Sequence, residues 1–235
     1  MLEVIAETLE DARQALQGGA QRLEIVRDLA QDGLTPSVDL VRQIAAEVPL
    51  PLRVMARDTN DFSASALDRT VEFAAKMAEQ KVDGLVVGYL SDGRLDRPAL
   101  DAIIAAAPGV PITFHRAFDA LASDRLREET LDELLAIPAV DRILTSGGAG
   151  SWEERADRLD RWQRLADESK NTSRAGKPLT ILAGGGMTAE GVRILRQTTT
   201  IREFHVGSAA RTPANFQGRV DAAQVRAFRR DAGLP

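Results

Sequence analysis

The chain contains no cysteine. Disulfide frameworks, thiolate metal sites and thiol nucleophiles are thereby excluded, and folding requires no oxidising compartment. Histidine is scarce, with two residues, His115 and His205, and aromatic residues make up only 4% of the 235 positions. A core must be built mainly from Ala, Val, Leu and Ile, which suits strands buried beneath helices. The net charge is −5 and no polybasic run interrupts it, which argues against a sequence-independent nucleic-acid binder. No apolar run approaches the about 20 residues that span a bilayer. The segment Met1-Leu2-Glu3-Val4-Ile5 lacks the basic and long apolar parts of a signal peptide. The expectation is a cytoplasmic protein whose partner is a small anion or a metal ion, with neither nucleic acid nor membrane involved.

What is present is a regular alternation of short strands and helices. Strands are expected over Leu2 to Ile5, Arg22 to Val26, Leu52 to Ala56, Gly84 to Val87, Ile112 to Phe114, Arg142 to Leu144, Leu179 to Ala183 and Glu203 to Val206. Helical periodicity fills the intervals: Leu9 to Leu16 ending at Gly18-Gly19, a helix opened by Thr35-Pro36-Ser37, Ser65 to Gln80, and Arg97 to Ala106. Further helices run over Glu128 to Ala136, Glu153 to Ser169, Glu190 to Gln197 and Asp221 to Arg230, with Lys170 to Lys177 as a polar linker. Eight such units without a composition shift predict a single-domain (β/α)8 TIM-like barrel over residues 1–235. An open doubly wound sheet would show fully apolar strands and an early glycine-rich dinucleotide turn, and neither occurs.

Strand alternation then sorts side chains between the helix-covered outside and the barrel interior. Leu2, Val4, Leu23, Ile25, Leu52, Val54, Ile112, Phe114, Phe204 and Val206 fall outside. Glu3, Arg22, Glu24, Arg53, Arg57, Thr113, His115, Arg142, Ser146, Glu203 and His205 fall inside. Buried ions cost several kcal/mol unless paired, so Glu3, Arg22, Arg53, Arg142 and Glu203, near strand starts or middles, are expected to form a salt-bridged plug. Glu24, Arg57, His115 and His205 stand nearer the carboxyl ends, where barrels place their chemistry. Both histidines close a strand, and His115 and His205 with Glu24 are the candidate acid/base residues.

Three late loops are rich in small residues: Ser146-Gly147-Gly148-Ala149-Gly150, Gly184-Gly185-Gly186-Met187 and Gly207-Ser208-Ala209-Ala210-Arg211. Loops after the seventh and eighth strands commonly hold phosphate in this fold, and glycine lets amides approach an anion closely; tight turns for barrel closure are the alternative. Candidate ligand-binding residues are Arg57, Arg116, Asp119, Ser146, Gly184, Gly185, Gly186, Gly207, Ser208 and Arg211. No lysine stands at a strand end, which disfavours Schiff-base chemistry. The four methionines form no clustered soft-metal motif. Trp152 and Trp162, on a charged helix, are expected to pack against the barrel or against a second copy in a homodimer.

The chain resembles the CutC family, named for copper homeostasis. The resemblance rests on Gly19-Ala20-Gln21-Arg22-Leu23-Glu24, Asp32-Gly33-Leu34-Thr35-Pro36-Ser37, Thr113-Phe114-His115-Arg116-Ala117-Phe118-Asp119, Leu144-Thr145-Ser146-Gly147, Ala183-Gly184-Gly185-Gly186 and Glu203-Phe204-His205. It implies a cytosolic TIM-like barrel that handles or binds copper. Members with proposed thiol ligands carry cysteines after the first two strands, where this chain reads Ile5-Ala6-Glu7 and Ile25-Val26-Arg27. Any metal must therefore use His115, His205, Glu3 or Glu24, a set better suited to a divalent ion than to Cu(I). The alternative is an enzyme acting on a small anionic, phosphorylated substrate by His/Glu acid–base chemistry.

Overall fold

The computed structural model describes residues 1–80, 82–169 and 178–235; the polar linker expected over Lys170 to Lys177 lies outside the described residues. The first half of the chain runs β1 (Leu2–Ala6), α1 (Leu9–Gly18), β2 (Arg22–Ile25), α2 (Val38–Glu47), β3 (Leu52–Met55), α3 (Leu67–Glu79), β4 (Gly84–Val87), a hairpin of β5 (Leu90–Ser91) and β6 (Arg94–Leu95), and α4 (Arg97–Ala106). It continues through β7 (Ile112–Phe114), α5 (Asp124–Leu135), β8 (Val140–Thr145), α6 (Trp152–Ser169), β9 (Thr180–Ala183), α7 (Ala189–Thr198), β10 (Glu203–Val206), a hairpin of β11 (Arg211–Thr212) and β12 (Arg219–Val220), and α8 (Ala222–Asp231). The eight longer strands close in the order β1-β10-β9-β8-β7-β4-β3-β2, all neighbours parallel. This is a (β/α)8 barrel.

Local chemistry sets the helix starts. Thr8, Ser37, Asp96, Ser123, Thr188 and Asp221 each accept a hydrogen bond from a main-chain N–H in the first turn of the helix that follows. Such caps satisfy donors that no helix can satisfy internally. The Ser123 cap also corrects the expected start of α5: the helix begins at Asp124, a turn earlier than Glu128. The two short hairpins are additions that the apolar pattern did not announce.

The main core lies between strands and helices. All ten residues assigned to the outer strand face are at most 4% exposed and belong to it. Trp162 is fully buried and meets Phe118 edge-on at 5.2 Å, while Trp152 lies under Arg155, whose guanidinium is 3.8 Å from the ring centroid. Trp162 thus packs against the barrel, as expected, while Trp152 is partly buried. A smaller apolar cluster, Ile5, Val26, Leu29, Met55 and Val86, is separate from the main core.

The amino-terminal end of the barrel is plugged by ion pairs. Arg22 donates to Glu3 and, at 2.8 Å, to Glu203; Arg142 reaches Glu203 at 2.8 Å. Arg53 makes a two-pronged contact with Asp141 at 2.9 and 2.7 Å, and Arg142 also pairs with Asp141. The expected plug is present, with Asp141 as a member that strict alternation had not supplied.

Candidate functional site

Three neighbouring strands bring the central group together. Parallel register sets Glu3 of β1 beside His205 of β10, and Ile5 of β1 beside Glu24 of β2, so His205 and Glu24 flank β1 on its two sides. His205 Nδ1 lies 2.7 Å from Glu3 Oε1, and His205 Nε2 lies 3.5 Å from Glu24 Oε2. Glu3 is in turn held by Arg22. The result is a buried chain, Arg22–Glu3–His205–Glu24, that runs from the plug towards the mouth.

Burial and charge pull these groups apart. Burial opposes ionisation of Glu3, but Arg22 and His205 outweigh it and hold that carboxyl well below its usual range. Burial pushes Glu24 up to about 7, despite His205, with further help from the charge of Glu3. Burial alone would lower His205, but the carboxylates of Glu24 and Glu3 prevail and raise it. A carboxyl poised near neutrality beside an imidazolium is suited to moving protons.

His115 is built differently. Its Nδ1 accepts the main-chain N–H of Ala117 at 3.1 Å, so the neutral ring must carry its proton on Nε2. Burial, with the positive charges of Arg57 and Arg116, keeps its pKa well below the ordinary histidine value. Gly88 makes the position available, because a Cβ there would stand 2.5 Å from His115 Nδ1. The ring of Phe62 lies 5.3 Å away, centroid to centroid.

These side chains open into one solvent-facing cavity of about 720 Å³, counted out to solvent. It is lined by Glu24, His115 and His205, by Arg57 and Arg116, by Gly185, Gly186, Gly207 and Ser208, and by an apolar wall that includes Ile5, Val26, Leu29, Met55, Phe62 and Phe216. Arg57 spends Nε and Nη2 on the carbonyls of Gln31, Asp32 and Gly33; its Nη1 makes no hydrogen bond among the described residues. Arg116 is held by Asp32 at 3.0 Å and Asp119 at 3.3 Å. Gly185 has φ of +70°, and the N–H groups of Gly185, Gly186 and Met187 meet no main-chain acceptor among the described residues.

Four of the expected ligand-binding residues stand back from the cavity. Asp119 accepts from Ser146 N at 3.0 Å and from Thr145 Oγ1, tying the loop after β8 to Arg116. Ser146 packs beneath Gly185, where its Cβ would stand 2.8 Å from a Cβ on the glycine. Gly184 makes room for Leu144 and His205. Arg211, expected to hold an anion, is instead fully buried: it donates to the carbonyls of Gly218 and Ile5 and lies 3.5 Å from Glu7 and 3.7 Å from Asp11. Its physical role is to fasten the β11–β12 hairpin against β1 and α1. The aromatic pair Phe62 and Phe216, absent from the expected site, carries no motif by which sequence could have selected it.

The residues matching the sequence resemblance now have places in this geometry, and the comparisons with known proteins agree with them. The CutC family model matches residues 1–210. The chain belongs to the CutC family. A CutC family protein of Xanthomonas campestris pv. campestris strain B100 is 36% identical over 222 residues, covering 92% of this chain and 85% of the relative. One of Photobacterium profundum is 34% identical over 219 residues, covering 92% and 84%. Among solved structures, CutC of Streptococcus agalactiae, described as a copper homeostasis protein, has 27% identity and a TM-score of 0.72 over 88% of this chain and 97% of its own.

The family name raises copper, and the donor set can be tested against it. Glu3, Glu24 and His205 can place one ligand atom each within 4.8 Å of one another. The two nitrogens of His205 already face the two carboxylates, Nδ1 towards Glu3 and Nε2 towards Glu24. An ion at Nδ1 would sit beside Arg22. His115 has its Nδ1 lone pair engaged and its proton on Nε2, leaving no lone pair for a metal. Met55 packs into the small apolar cluster and Met187 into the main core. Two hard carboxylates around one imidazole do not fit Cu(I), which prefers soft thiolate or thioether donors. Among the described residues no helix is long and apolar enough to cross a membrane.

Proposed function

We propose that this CutC family member is an enzyme that acts on a small anionic, phosphorylated molecule at the mouth of the barrel by acid–base chemistry. The observation that supports the reading is that one cavity is lined by Arg57, Arg116, Gly185, Gly186 and Met187, the last three with N–H groups that meet no main-chain acceptor among the described residues, beside the buried Glu24–His205 pair. Oriented amides and guanidinium groups favour an anion without needing a counter-charge of their own. Glu24 exchanges the proton, His205 sets its charge, and Glu3, fixed by Arg22, positions His205. Copper handling in the cytoplasm draws its support from the family and from the copper homeostasis description of the Streptococcus agalactiae relative; the donor geometry does not favour it.

A thermal-shift titration separates the two readings, because a ligand that binds the native state raises its apparent stability. Sugar phosphates and glycerol 3-phosphate are expected to raise Tm, and Arg116→Ala to abolish the rise. A stoichiometric rise with Cu(I) or Cu(II) that needs His205, with no response to phosphates, would overturn the proposal in favour of metal handling.

A further inference from the structure

We infer that the reaction is enolisation of a carbonyl compound, with Glu24 as the base that takes the α-proton and His115 Nε2–H as the donor to the carbonyl oxygen. The inference rests on the enzyme reading above and names its chemistry. Among the described residues, six buried side-chain polar atoms have no hydrogen-bond partner. Four are Nε atoms of Arg53, Arg127, Arg211 and Arg229, each of which bonds through at least one terminal nitrogen. The remaining two are Glu24 Oε1 and His115 Nε2, both on residues that line the cavity. Buried polar atoms are rarely left unpaired, and one that is needs a reason.

The two atoms are of opposite kind. Because Nδ1 of His115 accepts from Ala117, its Nε2 is a fixed donor. Glu24 Oε1 is an acceptor whenever the carboxyl is ionised. A ligand that satisfies both must present an oxygen to His115 and a hydrogen to Glu24. His115 cannot be the base, since it turns no lone pair towards the cavity. No lysine lines the cavity among the described residues, so an iminium route has no amine to form on. A carbonyl compound with an acidic α-C–H fits both atoms: Glu24 removes the proton, the C–H electron pair becomes a C=C bond, and the carbonyl π pair moves onto oxygen. There the developing charge is met by Nε2–H, with Arg57 and Arg116 as the charged groups facing the ring. The protonated Glu24 then returns its proton to carbon, and no electrons are gained or lost overall. A neutral imidazole is a suitable donor here, as its acidity is closer to that of an enol than an imidazolium's would be.

Two measurements on the unmodified protein test this. In calorimetric titration, phosphoglycolohydroxamate, which mimics an enediolate, is expected to bind at least roughly tenfold tighter than 2-phosphoglycolate, as transition-state mimics do. Equal affinity overturns the enolisation while leaving the anion site standing; no binding of either overturns both. In ¹⁵N NMR at neutral pH, His115 is expected to be neutral with its proton on Nε2. A His115 that is an imidazolium at neutral pH, or that carries its proton on Nδ1, overturns the assignment.

Discussion

The two ends of the barrel interior are made from the same residue types and treat them in opposite ways. At the amino-terminal end Arg22, Arg53 and Arg142 are each matched to carboxylates of Glu3, Glu203 and Asp141. At the mouth, among the described residues, Glu24 leaves one oxygen unpaired, His115 leaves one nitrogen unpaired, and Arg57 Nη1 makes no hydrogen bond. Glu3 belongs to both ends, pairing downward with Arg22 and upward with His205. Breaking a buried ion pair is costly, whereas a buried polar atom left without a partner carries a cost that a ligand can offset. On the proposed reading, the difference separates an end built for stability from an end built for a ligand.

The largest effect is expected where pairing is complete. Arg22→Met leaves Glu3 with His205 alone and removes one of the two arginines on Glu203, and should cost about 3–5 kcal/mol in urea denaturation. A cost below 1 kcal/mol would show that the plug is not what holds that end.

Next in size is a pH dependence set by the mouth. Glu24 rises from 4.5 to about 7 on folding, so the folded state binds the extra proton and stability falls as pH climbs between those values. The drop should approach about 3 kcal/mol. His205, also raised, contributes stability that is lost in the same direction as pH rises through its folded value. Glu3 and Glu203, both lowered, lose their contribution only as pH falls below the unfolded carboxyl range, so the two windows are separate. Denaturation midpoints from pH 4.5 to 8 check the sign.

Smaller changes sharpen the contrast. Gly88→Ala drives a methyl into the His115 ring and should cost about 1–3 kcal/mol, as overpacking does. Asp119→Asn removes the charge that holds Arg116 and should weaken phosphate-ester binding roughly fivefold, about 1 kcal/mol, with little change in Tm.

The barrel was legible in the sequence because strand alternation is a local property. It placed Glu3, Glu24, His115 and His205 inside, and the register of β10, β1 and β2 then brought Glu3, His205 and Glu24 together. Asp141 was missed because alternation sets it opposite Arg142; a register shift in the β7–β8 pairing at Ile112 and Thr113 accompanies its turn towards Arg53. Arg211 followed a glycine loop and looked like an anion ligand, but its partners Glu7 and Asp11 lie near the other end of the chain. The state of His115 depends on the N–H of Ala117, two residues on, and no side-chain pattern encodes that bond.

The most direct test of the contrast between the two ends is the stability of Glu24→Gln against the unmodified protein at pH 5 and pH 8. If Glu24 is charge held at the mouth at the expense of stability, the variant should equal the parent at pH 5 and exceed it by about 2–3 kcal/mol at pH 8. A variant less stable than its parent at pH 8 would mean that Glu24 is a structural ion like those of the plug, and the division of the barrel into a stable end and a chemical end would fail.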